Sequence, residues 1–89
     1  MRYSITKSQF DSDIQRIKHR GKNIEKLIFV ISIIKQEKRL PKLFRPHKLK
    51  GKYNGCWECH IESDWLLIWE FYSDHILLIR TSSHTDLFE

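Results

Sequence analysis

Apolar side chains recur along this chain with two different periods, and the period changes near its middle. Tyr3 and Ile5 alternate with polar neighbours, which predicts a short opening strand. Phe10, Ile14 and Ile17 then fall at helical spacing, with Thr6 or Ser8 as the N-cap, and this helix is expected to stop near Gly21. Asn23 offers a second cap ahead of Ile24, Leu27, Ile28, Ile31 and Ile34, which share one face through about Lys38, before Pro41. The segment is rich in β-branched residues, yet its 3.6-residue period and the polar Glu25, Lys26, Ser32 and Lys35 favour helix. The first half therefore reads as a strand and a two-helix hairpin.

Beyond the turn signals Gly51 and Asn54-Gly55 the pattern becomes that of strands: Cys56 to Glu62, Trp65 to Tyr72 and Ile76 to Thr81, joined by Ser63-Asp64 and Ser73-Asp74. Connections this short make neighbouring strands antiparallel. Trp65-Leu66-Leu67-Ile68-Trp69 is apolar on both sides and predicts the central strand. The expected fold class is α+β: a short N-terminal strand and a two-helix hairpin packed on one face of a mainly antiparallel sheet, residues 1–89 forming one domain. A chain of 89 residues leaves no room for a second catalytic domain.

Composition narrows the class. An apolar fraction of 40% is too high for a disordered chain, and the longest apolar run, Leu27 to Ile34, is interrupted by Ser32 and too short for a transmembrane helix. No apolar segment or cleavage site follows Met1-Arg2-Tyr3-Ser4, so a cytoplasmic protein is expected, with Cys56 and Cys59 kept as thiols. The net charge of +5 is segregated: eight basic side chains and one acid, Glu37, lie between Lys35 and Lys52, whereas Cys56 to Glu89 holds seven acids and one base, Arg80. A basic stripe of that density suits a phosphate backbone, because each neutralised phosphate releases condensed counterions. The bland alternative is a solvated linker between helix and sheet.

Cys56-Trp57-Glu58-Cys59-His60 matches C-x-x-C-H, the pattern of covalent haem attachment. Alternation along a strand points the two cysteines to opposite faces, where they cannot share haem or zinc, so no cofactor or metal is expected and Cys59 reads as core filler beside Trp57 and Ile61. The same alternation gathers Glu58, His60 and Glu62 into a polar row, with Asp64 at the next turn. His47 lies in the basic stretch and His84 in the tail. Trp57, Trp65 and Trp69 read as core.

Taken together, P-H-K-L-x-G from Pro46, E-C-H-I-x-x-D-W-L-L-I-W from Glu58 and R-T-x-S-H-x-D-L-F from Arg80 closely resemble the YafQ branch of the RelE/ParE superfamily of bacterial toxins. These motifs span His47 to Phe88, and the strand and hairpin before them fit the same fold. The resemblance implies a curved antiparallel sheet with two helices on one face, and a small endoribonuclease that cuts mRNA in the ribosomal A site and is silenced by a cognate antitoxin. It carries functional roles onto His47, Glu58, His60, Asp64, His84 and Phe88. Two positions depart from the family pattern: Glu58 stands where relatives have Asp, and Ser82 stands where the family commonly reads R-x-G-S-H. Losing that glycine is expected to stiffen or shift the segment that delivers His84.

The residue types fit this chemistry independently. RNA supplies its own nucleophile, the 2′-hydroxyl, so scission needs a base, an acid for the departing 5′-oxygen and positive charge near the phosphate. Histidine serves either proton-transfer role near neutral pH. The assignment is Asp64 or His60 as general base, His84 as general acid, and His47 and Arg80 near the phosphate. Arg80 could alternatively pair with Asp74 or Asp86. Phe88 would stack on a base or anchor the tail, and Lys48, Lys50 and Lys52 would bind substrate phosphates. A free monomeric toxin that forms a higher-order complex with its antitoxin is expected. Competing readings are a non-enzymatic toxin resembling the ParE branch, which poisons gyrase, and a basic RNA-binding domain without catalysis.

Overall fold

A computed structural model describes residues 2–88. Five strands form one sheet in the order β1-β5-β4-β3-β2. The edge strand β1 (Tyr3–Thr6) runs parallel to β5 (His75–Ser82). The remaining pairs are antiparallel: β5 with β4 (Trp65–Phe71), β4 with β3 (Trp57–Glu62), and β3 with the two-residue β2 (His47–Lys48). The α+β class and the central place of the Trp65 strand agree with the sequence pattern.

Helices α1 (Ser8–His19) and α2 (Ile24–Lys35) cover one sheet face. Phe10 and Ile17 of α1 and Leu27, Val30 and Ile34 of α2 bury against Cys59, Ile61, Trp65, Leu67 and Trp69. Several local expectations shift. Thr6 is paired in β1 and Ser8 is already helical, so Lys7 takes the N-cap position of α1 without a side-chain bond. Asn23 caps α2 as expected, its side chain accepting the Glu25 N–H at 3.0 Å. Ile28, placed by the sequence on the buried stripe, is 59% exposed, and Val30 is buried instead. Ile28 sits about 100° around the axis from Leu27, so only one of the two can face the sheet squarely. The helix ends at Lys35 and not near Lys38, since Glu37 adopts a left-handed conformation with φ 61°. Tyr3 and Ile5 are exposed, because β1 lies at the sheet edge.

The opposite face is covered too, where the sequence predicted a cover on one face only. Leu66 and Ile68 alternate away from Trp65, Leu67 and Trp69, and join Cys56 and Ile79 in a smaller apolar cluster. Leu87 of α3 (His84–Phe88) closes it. Cys59 falls in the larger cluster and Cys56 in the smaller, as alternation requires.

One buried carboxylate joins helix to sheet. β1 covers β5 only from His75 to Leu78, and α1 passes beside the remainder of that edge. There Asp13, with no solvent exposure, accepts the Thr81 N–H at 3.0 Å, in the place a longer β1 would have filled. It also accepts Arg80 Nε at 2.7 Å, Arg80 Nη2 at 3.0 Å and Arg16 Nη1 at 2.9 Å. The ion pair that Arg80 makes is therefore with Asp13, not with Asp74 or Asp86 as the alternative reading had it, and no local pattern reveals that proximity.

Replacing Asp13 by Ala is expected to cost about 3–5 kcal/mol, because it leaves the Arg80 guanidinium, 14% exposed, without its counter-charge. Urea unfolding measures this, and a loss below about 1 kcal/mol would reduce the pair to the worth of a surface bridge.

Candidate active site

The strand register assembles the polar residues of the sheet into two adjacent rows. His47 pairs with Glu58, Glu58 with Ile68, and Ile68 with Arg80, so one row crosses β2, β3, β4 and β5. His60 pairs with Leu66 and Leu66 with Ser82, forming the second. Directly opposed residues share a face. Both rows therefore lie on the face covered by α3, with Leu66 and Ile68 as an apolar floor between the polar ends. Glu58 and Arg80 are separated by two strand spacings, about 10 Å.

At the β2–β3 end, His47 and His60 approach with ring centroids 6.5 Å apart. The His47 Nδ1 lies 2.9 Å from the Arg45 carbonyl, which can only accept, so Nδ1 donates. Its Nε2 lies 3.1 Å from Glu58 Oε1. His47 thus bridges the Arg45 carbonyl and the Glu58 carboxyl group. Glu58 is only 5% exposed, so it is not the open member of a polar row that alternation suggested. His47 of β2 lies directly opposite it in the sheet.

At the β5 end, Arg80 is tied edge-on to Asp13, which raises its pKa further and leaves Nη1 outside the pair. His84 opens α3, and its backbone N–H donates to Asp64 Oδ1 at 3.0 Å. Its ring lies 5.0 Å from that of Phe88, which in turn meets Tyr53 edge-on at 5.7 Å. Tyr53, just beyond the basic stretch, carried no signal in the sequence. Asp13 did carry one: it sits among Phe10, Ile14 and Ile17 on the apolar stripe of α1, where a lone acid needs a partner.

Ser82, the departure from the family glycine, occupies ordinary extended strand without positive φ, so no glycine is required there. Its hydroxyl donates to Asp86 Oδ2 at 2.7 Å and accepts from Arg16 Nη1 at 3.3 Å. Asp86 also receives Arg20 Nη1 at 3.1 Å. The Ser82 hydroxyl, then Arg20 and Ser83, bring the Asp86 carboxyl down to about 2. Serine thus ties α3 to the sheet through its side chain.

Lys48, Lys50 and Lys52 are exposed, Lys48 lying over the Trp57 ring at 5.8 Å and Lys52 over Tyr53 at 5.4 Å. Both cysteines are free and buried; burial pushes the Cys59 thiol up to about 12, removing it as a nucleophile. Among the described residues no three His, Cys, Asp or Glu side chains converge as a metal site. What the face does offer is imidazoles for proton transfer, a fixed guanidinium and an aromatic ring, all around one shallow apolar floor.

A family described as "Bacterial toxin of type II toxin-antitoxin system, YafQ" matches residues 2–89. The mRNA interferase toxin YafQ of Escherichia coli K12 is 30% identical over 81 residues, 90% of this chain and 88% of that protein. The YafQ chain in the crystal structure of the E. coli DinJ-YafQ toxin-antitoxin complex aligns with a TM-score of 0.91 at 27% identity, covering 99% of this chain and 98% of that one. A metal-bound toxin from Helicobacter pylori aligns with a TM-score of 0.93 at 29% identity over 99% of this chain and all of that one.

The Asp86 network yields a pH expectation. Its folded pKa lies below the ordinary value of 3.8, so the stability it contributes is complete above that value and is lost as pH falls through about 2. Amide exchange of residues 84–88 should accelerate across that interval in the parent protein. Ser82→Ala should shift the acceleration toward pH 4; an identical profile in this variant would remove the serine from the network.

Proposed function

The chain belongs to the YafQ family of toxins from bacterial type II toxin–antitoxin systems, and from that premise we propose that it cleaves ribosome-bound mRNA on the histidine face of its sheet. It is an mRNA endoribonuclease toxin, and its partner is a cognate antitoxin. The observation that carries the reading is the pair of cross-strand rows, which place His47, Glu58, His60 and Arg80 on the face that α3 crosses with His84 and Phe88. A protein that acted by binding alone would gain nothing from clustering acid–base groups there.

In the proposed reaction His60 removes the proton of the 2′-hydroxyl, whose oxygen forms a bond to the adjacent phosphorus. The bond from phosphorus to the 5′-oxygen breaks, and His84 supplies that oxygen with its proton. The products are a 2′,3′-cyclic phosphate and a 5′-hydroxyl. His60 is favoured over Asp64 as the base because the Asp64 carboxylate is already engaged with the His84 N–H, which orients the acid. The guanidinium of Arg80 and the imidazole of His47 stabilise charge developing on the phosphate. Phe88, 39% exposed, stacks on a base. Lys48, Lys50 and Lys52 bind phosphates of the ribosome in the A site, in the cytoplasm, where the free toxin is a monomer.

Changing His84 to Ala should leave a folded protein with cleavage reduced about 10²–10⁴-fold, since an exposed ring adds little to the core but donates the leaving-group proton. Growth after induction and primer extension on translated mRNA read this out; undiminished toxicity would remove His84 as the acid.

The 5′ fragment should end in a cyclic or 3′ phosphate, and cutting should persist in chelator once ribosome integrity is controlled. A 3′-hydroxyl end would mean attack by water and would discard the mechanism.

Neutralising Lys48, Lys50 and Lys52 together should lower the salt slope of ribosome binding by about 0.7–0.9 per lost phosphate contact. The single-turnover rate at saturating ribosome should hardly change. A large fall in that rate would assign the lysines to transition-state stabilisation instead.

A further inference from the structure

A groove of about 530 Å³ opens beside Arg80 on the same face as the histidines. Cys56, Leu77 and Ile79 belong to the apolar cluster there and give the groove an apolar floor. Lys7, Lys52 and Arg80 bring three cations to it, against the single acid Glu70, which accepts the Tyr72 hydroxyl at 2.9 Å. Two aromatic rings line it. Tyr53 joins the groove to the Phe88 and His84 rings described above. Tyr72 is 43% exposed and stacks on His75 at 4.7 Å and 5° interplanar angle, and His75 stacks in turn on Tyr3 at 5.4 Å. The Tyr72 ring is therefore held flat with much of its surface in solvent. Lys7 and Tyr72 take no part in the reaction proposed above.

An apolar floor, flat aromatic walls and cations are what a single-stranded nucleotide requires: a surface for its base and charge for its phosphates. The volume lies within the range of roughly 300–1,000 Å³ of pockets that enclose small ligands. Resting on the nuclease reading, we propose that this groove is a subsite for a nucleotide of the mRNA next to the one that is cut. Its phosphate lies toward Lys7 and the guanidinium of Arg80, and its base packs against Tyr72. Ribosomal RNA shares this chemistry, but the groove continues into the catalytic face through Arg80 and Tyr53, and that continuity favours the message.

Steady-state cleavage on programmed ribosomes tests the subsite with Lys7→Ala and Tyr72→Leu, each first checked for unchanged thermal unfolding. KM should rise about 5- to 100-fold with each substitution, the worth of one stacked base or phosphate contact, while kcat stays within about twofold. Tyr72→Phe, which keeps the ring and loses the bond to Glu70, should retain the parental KM. Message carrying 4-thiouridine beside the cut should photocrosslink to the tryptic peptides containing Tyr53 or Tyr72. An unchanged KM in both variants overturns the subsite, as does a Phe variant as impaired as Leu. A raised KM without crosslinks assigns the groove to ribosomal RNA and overturns the proposal as stated. A parent protein that leaves ribosome-bound mRNA intact instead refutes the nuclease reading itself.

Discussion

The Asp13 carboxylate is the point on which fold and site both depend. A four-residue β1 leaves half of β5 without a strand on the side away from β4, and backbone donors on that edge need acceptors once α1 has buried them. Asp13 meets this need for Thr81 and simultaneously fixes the guanidinium of Arg80. Burying a carboxylate is costly unless it is paired and fully hydrogen-bonded, and four donors from three residues meet that condition here. The pair therefore sets both the seating of α1 on the sheet and the direction in which Arg80 presents its remaining N–H groups. Thr81 carries the linkage inward: its hydroxyl accepts the Trp65 indole N–H at 2.9 Å and donates to the Leu66 carbonyl at 2.8 Å. Buried polar groups are thus satisfied in a continuous path from α1 through β5 to the central strand.

The sheet works as a rigid partition between stability and chemistry. One face holds the larger core under α1 and α2; the other supports the two polar rows around Leu66 and Ile68. Because β4 is buried on both sides from Trp65 to Trp69, the rows rest on the most continuously buried strand of the sheet. Two elements on that face are short: β2 has two residues and α3 has five. Side-chain bonds hold each of them, His47 to Glu58 and Asp86 to Ser82 and Arg20, so that preorganisation is supplied by polar contacts where the backbone ladder is too short to supply it.

Charge is distributed along the same lines. The acids of the C-terminal half are largely consumed internally: Glu62 by Lys22 and Lys26, Asp64 by the start of α3, Asp74 by His75, and Asp86 by Arg20. Lys26 and Lys22 hold the Glu62 carboxyl below its usual range. Among the described residues the cations between Lys35 and Lys52 have no comparable set of internal partners and most are exposed, so the net charge of +5 is expressed on the surface. Lys48 and Lys52 set their ammonium groups over the Trp57 and Tyr53 rings, at 5.8 and 5.4 Å from the centroids, and both side chains remain exposed.

By itself the sequence determined whatever depends on neighbours along the chain: the order of β1, α1, α2 and β3 to β5, the turns between those last strands, the Asn23 cap, the central strand and the division of Cys56 from Cys59. Local periodicity and turn chemistry are sufficient for these, since both act over fewer than ten residues. Alternation along β3 also assigned Glu58 and His60 to one face, which the register bears out. Only the tertiary structure decided that Val30 and not Ile28 enters the core, that α3 covers the second face, that Glu58 is buried against His47, and that Arg80 answers to Asp13. Each of these turns on contacts across the sheet or between helix and sheet, up to 67 residues apart for Asp13 and Arg80. A one-dimensional pattern can mark Asp13 as an acid out of place on an apolar stripe, but its partner is set by where β1 stops, and that is a property of the assembled sheet.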